Sequence, residues 1–150
     1  MRTLELRRHA ARDPQVDRLS PEGRAQAEGV GRSLEGPFAF VFVSPAERAA
    51  QTLAFFLRGL GQQLPPHAVV PGLAAKDNDG TSLAMAGVVA ALLDTVAEGE
   101  RALAVGHTPL IERAVLGLTG REIEPLGECE GVLLTQEEDG HIEVRELRLR

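Results

Sequence analysis

Six consecutive apolar residues, Phe38-Ala39-Phe40-Val41-Phe42-Val43, stand between Gly36-Pro37 and Ser44-Pro45. A strand with one wet face alternates apolar and polar residues, whereas an unbroken apolar run is the pattern of a strand buried on both faces. Such a strand needs helices above and below its sheet, which restricts the chain to the α/β architectures.

The remaining periodicity agrees with this restriction. Residues 3–7 alternate and read as a first strand. Ser20-Pro21 supplies an N-cap and a proline at the first position of a helix running to about Leu34. Ser44-Pro45 repeats that signal for a second helix to about Leu60, closed by Gly59 or Gly61. Residues 67–71 read as a short strand and 72–80 as a loop, before a helix from about Ser82 to Ala97. Residues 101–105 form a strand ending at Gly106-His107, and Thr108-Pro109 opens a fourth helix to about Leu118. Residues 129–136 and 141–148 alternate around Asp139-Gly140 and read as a hairpin. The expected architecture is a three-layer α/β/α sandwich, a mainly parallel sheet with an antiparallel C-terminal hairpin toward one edge, in a single domain over residues 1–150.

Composition removes several classes of function. The formal charge of −6 opposes nonspecific nucleic-acid binding, and without Trp or Tyr the chain has little platform for stacked bases. Lys76 is the one lysine beside 15 arginines. No apolar run approaches the roughly 20 residues that span a bilayer, and the N-terminal segment lacks the apolar stretch of a signal peptide. The expectation is a cytoplasmic protein with no membrane partner; oligomeric state leaves no mark in the sequence. Cys129 is the only cysteine and reads as a small, half-buried residue of a late strand.

Ligands of open α/β sheets bind beyond the carboxyl ends of the strands. Three expected strands finish on reactive residues: the first on Arg8-His9, the second on Ser44-Pro45-Ala46-Glu47-Arg48, the fourth on Gly106-His107. Each has an ordinary reading by itself, as a hydrogen-bonded strand-end histidine or a solvated arginine. Their coincidence at one sheet edge points to a site. Arg7, which strand alternation turns opposite to Arg8, is expected at the solvated surface. His67 and His141 read as surface or packing residues.

The motifs L-R-R-H-A at 6–10, S-P-A-E-R-A-A-Q-T at 44–52 and V-G-H-T-P-L at 105–110 resemble the three motifs of the histidine phosphatase superfamily, also called phosphoglycerate mutase-like. The segment R-L-S-P-E-G-R-A-Q-A at 18–27 resembles the one usually found between the first two. Within the superfamily the Arg-His pair is commonly followed by Gly; Ala10 here, with a short chain lacking an inserted cap domain, is similar to the SixA-type phosphohistidine phosphatases. Many mutase and phosphomonoesterase members carry a Glu shortly after the leucine of the loop that reads G-L-A-A-K-D-N-D at 72–79; Ala75 occupies that position here.

The resemblance implies that His9 is a nucleophile forming a phosphohistidine intermediate, that Arg8 and Arg48 grip the nonbridging phosphoryl oxygens, and that His107 donates a further hydrogen bond. Two guanidinium groups near His9 would also disfavour its protonation. No cofactor is implied and no metal: two histidines without a carboxylate triad or thiolates make a poor zinc or iron site. A phosphorylated imidazole can depart as neutral imidazole, whereas an alkoxide needs a proton, so the missing Glu favours protein phosphohistidine as substrate. Asp77 or Asp79 remains a candidate general acid from a mobile loop, as do Asp13 and Asp17. A small-molecule phosphomonoesterase acting on a sugar or nucleotide phosphate is the alternative, and a noncatalytic phosphate-binding module the second alternative. The partner is accordingly a phosphorylated protein or a small phosphorylated metabolite.

Overall fold

The computed structural model describes residues 1–149. The chain runs β1 (Arg2–Arg8), α1 (Pro21–Gly31), β2 (Phe40–Val43), α2 (Glu47–Leu60), β3 (His67–Val69), a 3₁₀ turn (Pro71–Ala74), α3 (Ser82–Thr95), β4 (Arg101–Gly106), α4 (Leu110–Thr119), β5 (Gly131–Gln136) and β6 (Ile142–Leu147). The strands form one sheet in the order β3-β2-β4-β1-β5-β6. β3, β2, β4 and β1 are parallel, β5 runs antiparallel to β1, and β5 and β6 form the hairpin. The three-layer sandwich read from the sequence is therefore present. Among the described residues no helix is long and apolar enough to cross a membrane.

Side-chain alternation explains the two cores. Leu4, Leu6, Phe42, Ala102 and Ala104 pack under α3 and α4, while Val41, Val43, Leu103 and Val105 pack under α1 and α2. The adjacent interior strands β2 and β4 thus contribute to both faces, as the unbroken apolar run requires. α1 and α2 approach closely because Gly59 has no side chain: a Cβ there would lie 2.1 Å from the carbonyl oxygen of Glu28.

Several boundaries differ from the sequence reading, each for a local reason. β2 begins at Phe40 because the main chain of Phe38 is hydrogen bonded to the Gln62 amide, donating to Oε1 at 2.9 Å and accepting from Nε2 at 2.8 Å. α1 stops at Gly31, where the Ser33 amide and hydroxyl both turn back onto the Val30 carbonyl. Residues 71–74 coil into a 3₁₀ turn, closed by Ala75 in the left-handed region at φ 55°. Cys129 lies in the turn before β5 with φ 64°, fully buried, and burial pushes its thiol up to about 12. It is neither half-buried nor part of a strand.

Arg7 is also not at the surface. It points opposite to Arg8, but onto a covered part of the sheet, where its Nε donates to Glu5 Oε2 at 2.6 Å and its Nη1 to the Cys129 carbonyl at 2.8 Å. Arg101 donates to the other Glu5 oxygen at 3.0 Å. Glu5 is 2% exposed and Arg7 7%, so each charge depends on the others for what water would supply. Glu5→Ala would strand two cations and should destabilise the fold by about 3–5 kcal/mol, read as a lower urea midpoint; replacing Glu5 and Arg7 together by leucine should cost less than Glu5→Ala.

Candidate active site

Three adjacent parallel strands, β2, β4 and β1, end side by side. The turn after each is fixed by main-chain bonds: His9 N–H donates to Gly106 O at 3.2 Å, and Ser44 N–H to Val105 O at 3.1 Å. His9, Ser44 and His107 therefore stand in a row at one sheet edge, where the chain changes from one face to the other. Gly23 lets α1 close on this edge, since a Cβ there would lie 1.9 Å from the Ala11 carbonyl oxygen.

His9 is 6% exposed. Its Nδ1 lies 2.8 Å from the Ala10 carbonyl, an acceptor only, so Nδ1 carries the proton and donates. Nε2 is then the lone-pair nitrogen, and Arg48 Nε donates to it at 3.3 Å. Burial lowers the His9 imidazole below its ordinary value; the Ala10 carbonyl opposes this, and Arg48, Arg8 and Arg12 reinforce it. The ring is neutral near pH 7, with its free electron pair turned toward the Arg48 guanidinium.

Arg48 projects from the first turn of α2 and reaches three partners. Besides His9 Nε2, its Nη2 lies 3.4 Å from His107 Nδ1 and its Nη1 donates to Asp17 at 2.9 Å. Asp17 also accepts the Glu47 and Arg48 amides at 2.9 and 3.1 Å, and so caps α2 from a distant loop. Ser44-Pro45 does not cap this helix, which begins at Glu47, because the Ser44 hydroxyl lies 2.6 Å from His107 Nε2. Likewise Thr108-Pro109 does not cap α4, which begins at Leu110; the Thr108 hydroxyl is bonded to Glu112.

The rings of His9 and His107 meet edge to face with centroids 5.4 Å apart. His107 is pushed down to about 4, chiefly by burial and next by Arg48 and His9, with Asp17 pulling weakly the other way. Arg8, on the opposite face of β1 from Arg7, donates through Nη1 to the Leu126 carbonyl at 2.8 Å, while its buried Nε has no partner among the described residues. Arg8 Nε is thus an unpaired buried donor in the residue that directly precedes His9.

A cleft of about 620 Å³ opens against Arg48 and His107 and is walled by Asp17, Ala75, Lys76 and Thr108. Asp77 and Asp79 do not line it. Asp77 accepts from the Asn78 amide at 3.0 Å and Asp79 from the Thr81 main chain at 3.2 Å, both fastened in the turn before α3. The Thr81 amide, above all, holds the Asp79 carboxyl below its usual range, opposite to what a general acid needs. Asp13 accepts the Gln15 and Val16 amides and is lowered in the same way. Asp17 does line the cleft; burial pulls its carboxyl up, but Arg48 and two amides outweigh that and hold it at about 2. It is a fixed anion.

His67 and His141 are exposed and away from this edge. A second, apolar groove of about 520 Å³ between α2 and β3 includes Leu57, Leu64 and Val69 but neither His9 nor His107 in its lining. Among the described residues no three His, Cys, Asp or Glu side chains group as metal ligands would. The sequence reading missed the supporting residues. Thr52 Oγ1 accepts the Ala10 amide at 3.0 Å and donates to Arg48 O at 2.8 Å; Gln51 Oε1 accepts the Leu19 amide at 2.7 Å. Both belong to the run S-P-A-E-R-A-A-Q-T, so the signal was present in a motif valued only for its arginine.

Comparison with known proteins gives a consistent result. The family model of the histidine phosphatase superfamily (branch 1) matches residues 4–74. No curated protein matches by sequence. The protein histidine phosphatase SixA, solved with tungstate, is 27% identical over 97% of this chain and 96% of its own, with a TM-score of 0.68. Phosphoserine phosphatase from Entamoeba histolytica, solved with phosphoserine, is 18% identical over 99% and 97%, at 0.76. Mycobacterial glucosyl-3-phosphoglycerate phosphatase is 18% identical over 98% of both chains, at 0.72.

The depressed His107 makes stability depend on pH. Its folded value of about 4 lies below the ordinary 6.5, so between those values the unfolded chain binds a proton that the folded site refuses. Stability should rise with pH across that window, be fully present above about 6.5, and be lost as pH falls toward about 4. His107→Gln should flatten this slope, as measured by urea midpoints at several pH values.

Proposed function

We propose that this chain, whose residues 4–74 match the family model of the histidine phosphatase superfamily (branch 1), is a phosphatase of that superfamily that hydrolyses protein phosphohistidine through a phosphohistidine intermediate on His9, with residues 1–150 acting as one domain. The lone pair on His9 Nε2 attacks phosphorus in line as the substrate P–N bond breaks, and the substrate imidazole, already protonated, leaves neutral. Arg8 and Arg48 hold the nonbridging oxygens and spread their charge in a loose transition state, with His107 donating a further hydrogen bond. Water then attacks phosphorus as the P–Nε2 bond breaks, its protons leaving on the inorganic phosphate and the lone pair returning to His9 Nε2 while Nδ1 keeps its proton.

The observation that carries the choice of substrate is the state of the cleft wall. Ala75 lines it where many relatives of the superfamily place a Glu, and the one carboxyl beside it, Asp17, is locked to Arg48 at about 2. An alkoxide leaving group would find no poised acid there, whereas a protonated imidazole needs none. The likeness to SixA points the same way. Monoester hydrolysis of a sugar or nucleotide phosphate would need its proton from Lys76 or from solvent.

The test is a competition panel comparing kcat/KM for a phosphohistidine protein with that for sugar and nucleotide phosphates. Phosphohistidine should be preferred by at least about 10-fold, and His9→Ala should lose at least about 10³-fold on every substrate. A clear preference for a sugar phosphate would overturn the substrate, and full activity of His9→Ala would overturn the mechanism. No turnover of any phosphoester or phosphohistidine substrate would favour a noncatalytic phosphate-binding module.

A further inference from the structure

Two histidines 5.4 Å apart at one site are asked for opposite chemistry: one must offer a lone pair and the other a proton. For His9 the Ala10 carbonyl decides the matter by accepting from Nδ1. Among the described residues no carbonyl is bonded to the His107 ring. Its Nε2 faces the Ser44 hydroxyl at 2.6 Å, a group that can donate or accept.

The surroundings of Ser44 remove that ambiguity. Ser44 is 1% exposed, and its Oγ already accepts the Ala46 amide at 3.3 Å. Its hydroxyl proton needs an acceptor, and among the described residues His107 Nε2 is the one acceptor within bonding distance. A buried hydroxyl proton left unpaired is costly, so Ser44 donates to Nε2. His107, held neutral at pH 7, must then carry its proton on Nδ1. Arg48 Nη2 lies 3.4 Å from that nitrogen, at the weak limit of a hydrogen bond, and with the side chain 23% exposed that one N–H can be met by water while Nε and Nη1 stay on His9 and Asp17. Nδ1–H and Nη2–H thus stand side by side as two donors for one anionic oxygen.

We propose that Ser44 is a positioning residue that fixes His107 as the Nδ1–H tautomer, making it a hydrogen-bond donor to the phosphoryl group while Ala10 makes His9 the nucleophile. The assignment of a phosphoryl oxygen to that donor rests on the phosphatase reading; the tautomer itself does not. The place of Ser44 in the fold suits the task, since it directly follows β2 and its amide is tied to β4 at Val105, one residue before Gly106-His107.

Imidazole-¹⁵N labelling with long-range ¹H–¹⁵N correlation, at neutral pH in buffer free of oxyanions, reads the tautomer directly. Wild type should show a protonated Nδ1 and an unprotonated Nε2 at His107, and the reverse pattern at wild-type His107 would overturn the proposal without need of any variant. Ser44→Ala should shift His107 toward the Nε2–H form, reduce kcat/KM about 10- to 100-fold and weaken tungstate binding. Ser44→Thr, which keeps the hydroxyl, should restore all three. A Ser44→Ala protein that folds and keeps the Nδ1–H form would also overturn it. A wild type with the expected tautomer that turned over no phosphorylated substrate would instead overturn the phosphatase reading and leave the Ser44 assignment standing.

Discussion

The guanidinium of Arg48 is the interaction on which the rest of the site depends. Its three nitrogens reach His9, His107 and Asp17, and these come from the end of β1, the end of β4 and the loop before α1. Its charge lowers both imidazoles and holds the Asp17 carboxyl ionised. One side chain therefore reinforces what burial does to both imidazoles, disfavouring a proton on His9 and His107, and turns the nearest acid into a permanent anion. Asp17 returns the favour by capping the helix that carries Arg48, so the electrostatics of the cleft and the stability of α2 cannot be altered separately.

The molecule handles its arginines in two ways. Arg7 and Arg101 are neutralised by Glu5 beneath the sheet and serve the fold. Arg48 lines the cleft and meets its histidines at long distances of 3.3 and 3.4 Å, and the buried Arg8 Nε has no partner among the described residues. Arg7 and Arg8 are neighbours in sequence, and strand alternation alone sends one to each role. A chain of net charge −6 thereby keeps positive charge at a sheet edge where it would attract an anion.

Much of this was legible in the residues. The unbroken apolar run at 38–43 implied a sheet covered on both faces, and the three motif ends named the side chains that the topology gathers. What was not legible depended on long-range pairing. Nothing local distinguishes Arg7 as buried, because its counter-charge Glu5 looks like the polar side of a half-exposed strand and Arg101 is remote in sequence. Ser44 and Thr108 carry the ordinary signature of helix caps, but the distant His107 takes the Ser44 hydroxyl and Glu112, in the first turn of α4, takes that of Thr108. Asp17 reads as a loop aspartate until the fold sets it over the N-terminus of α2. Propensity describes what a residue offers locally, and tertiary partners decide who accepts it.

We propose that His9 attacks phosphorus through Nε2, with Ala10 holding the proton on Nδ1 and burial, reinforced by Arg48, keeping the ring neutral. Rapid quenching of the protein after mixing with phosphoramidate, followed by peptide mapping and ³¹P NMR, tests it most directly. The account predicts an acid-labile, alkali-stable phosphoryl group on Nε2 of His9. Phosphate on Nδ1, phosphate on another residue, or turnover with no enzyme-bound phosphate at any time would contradict it.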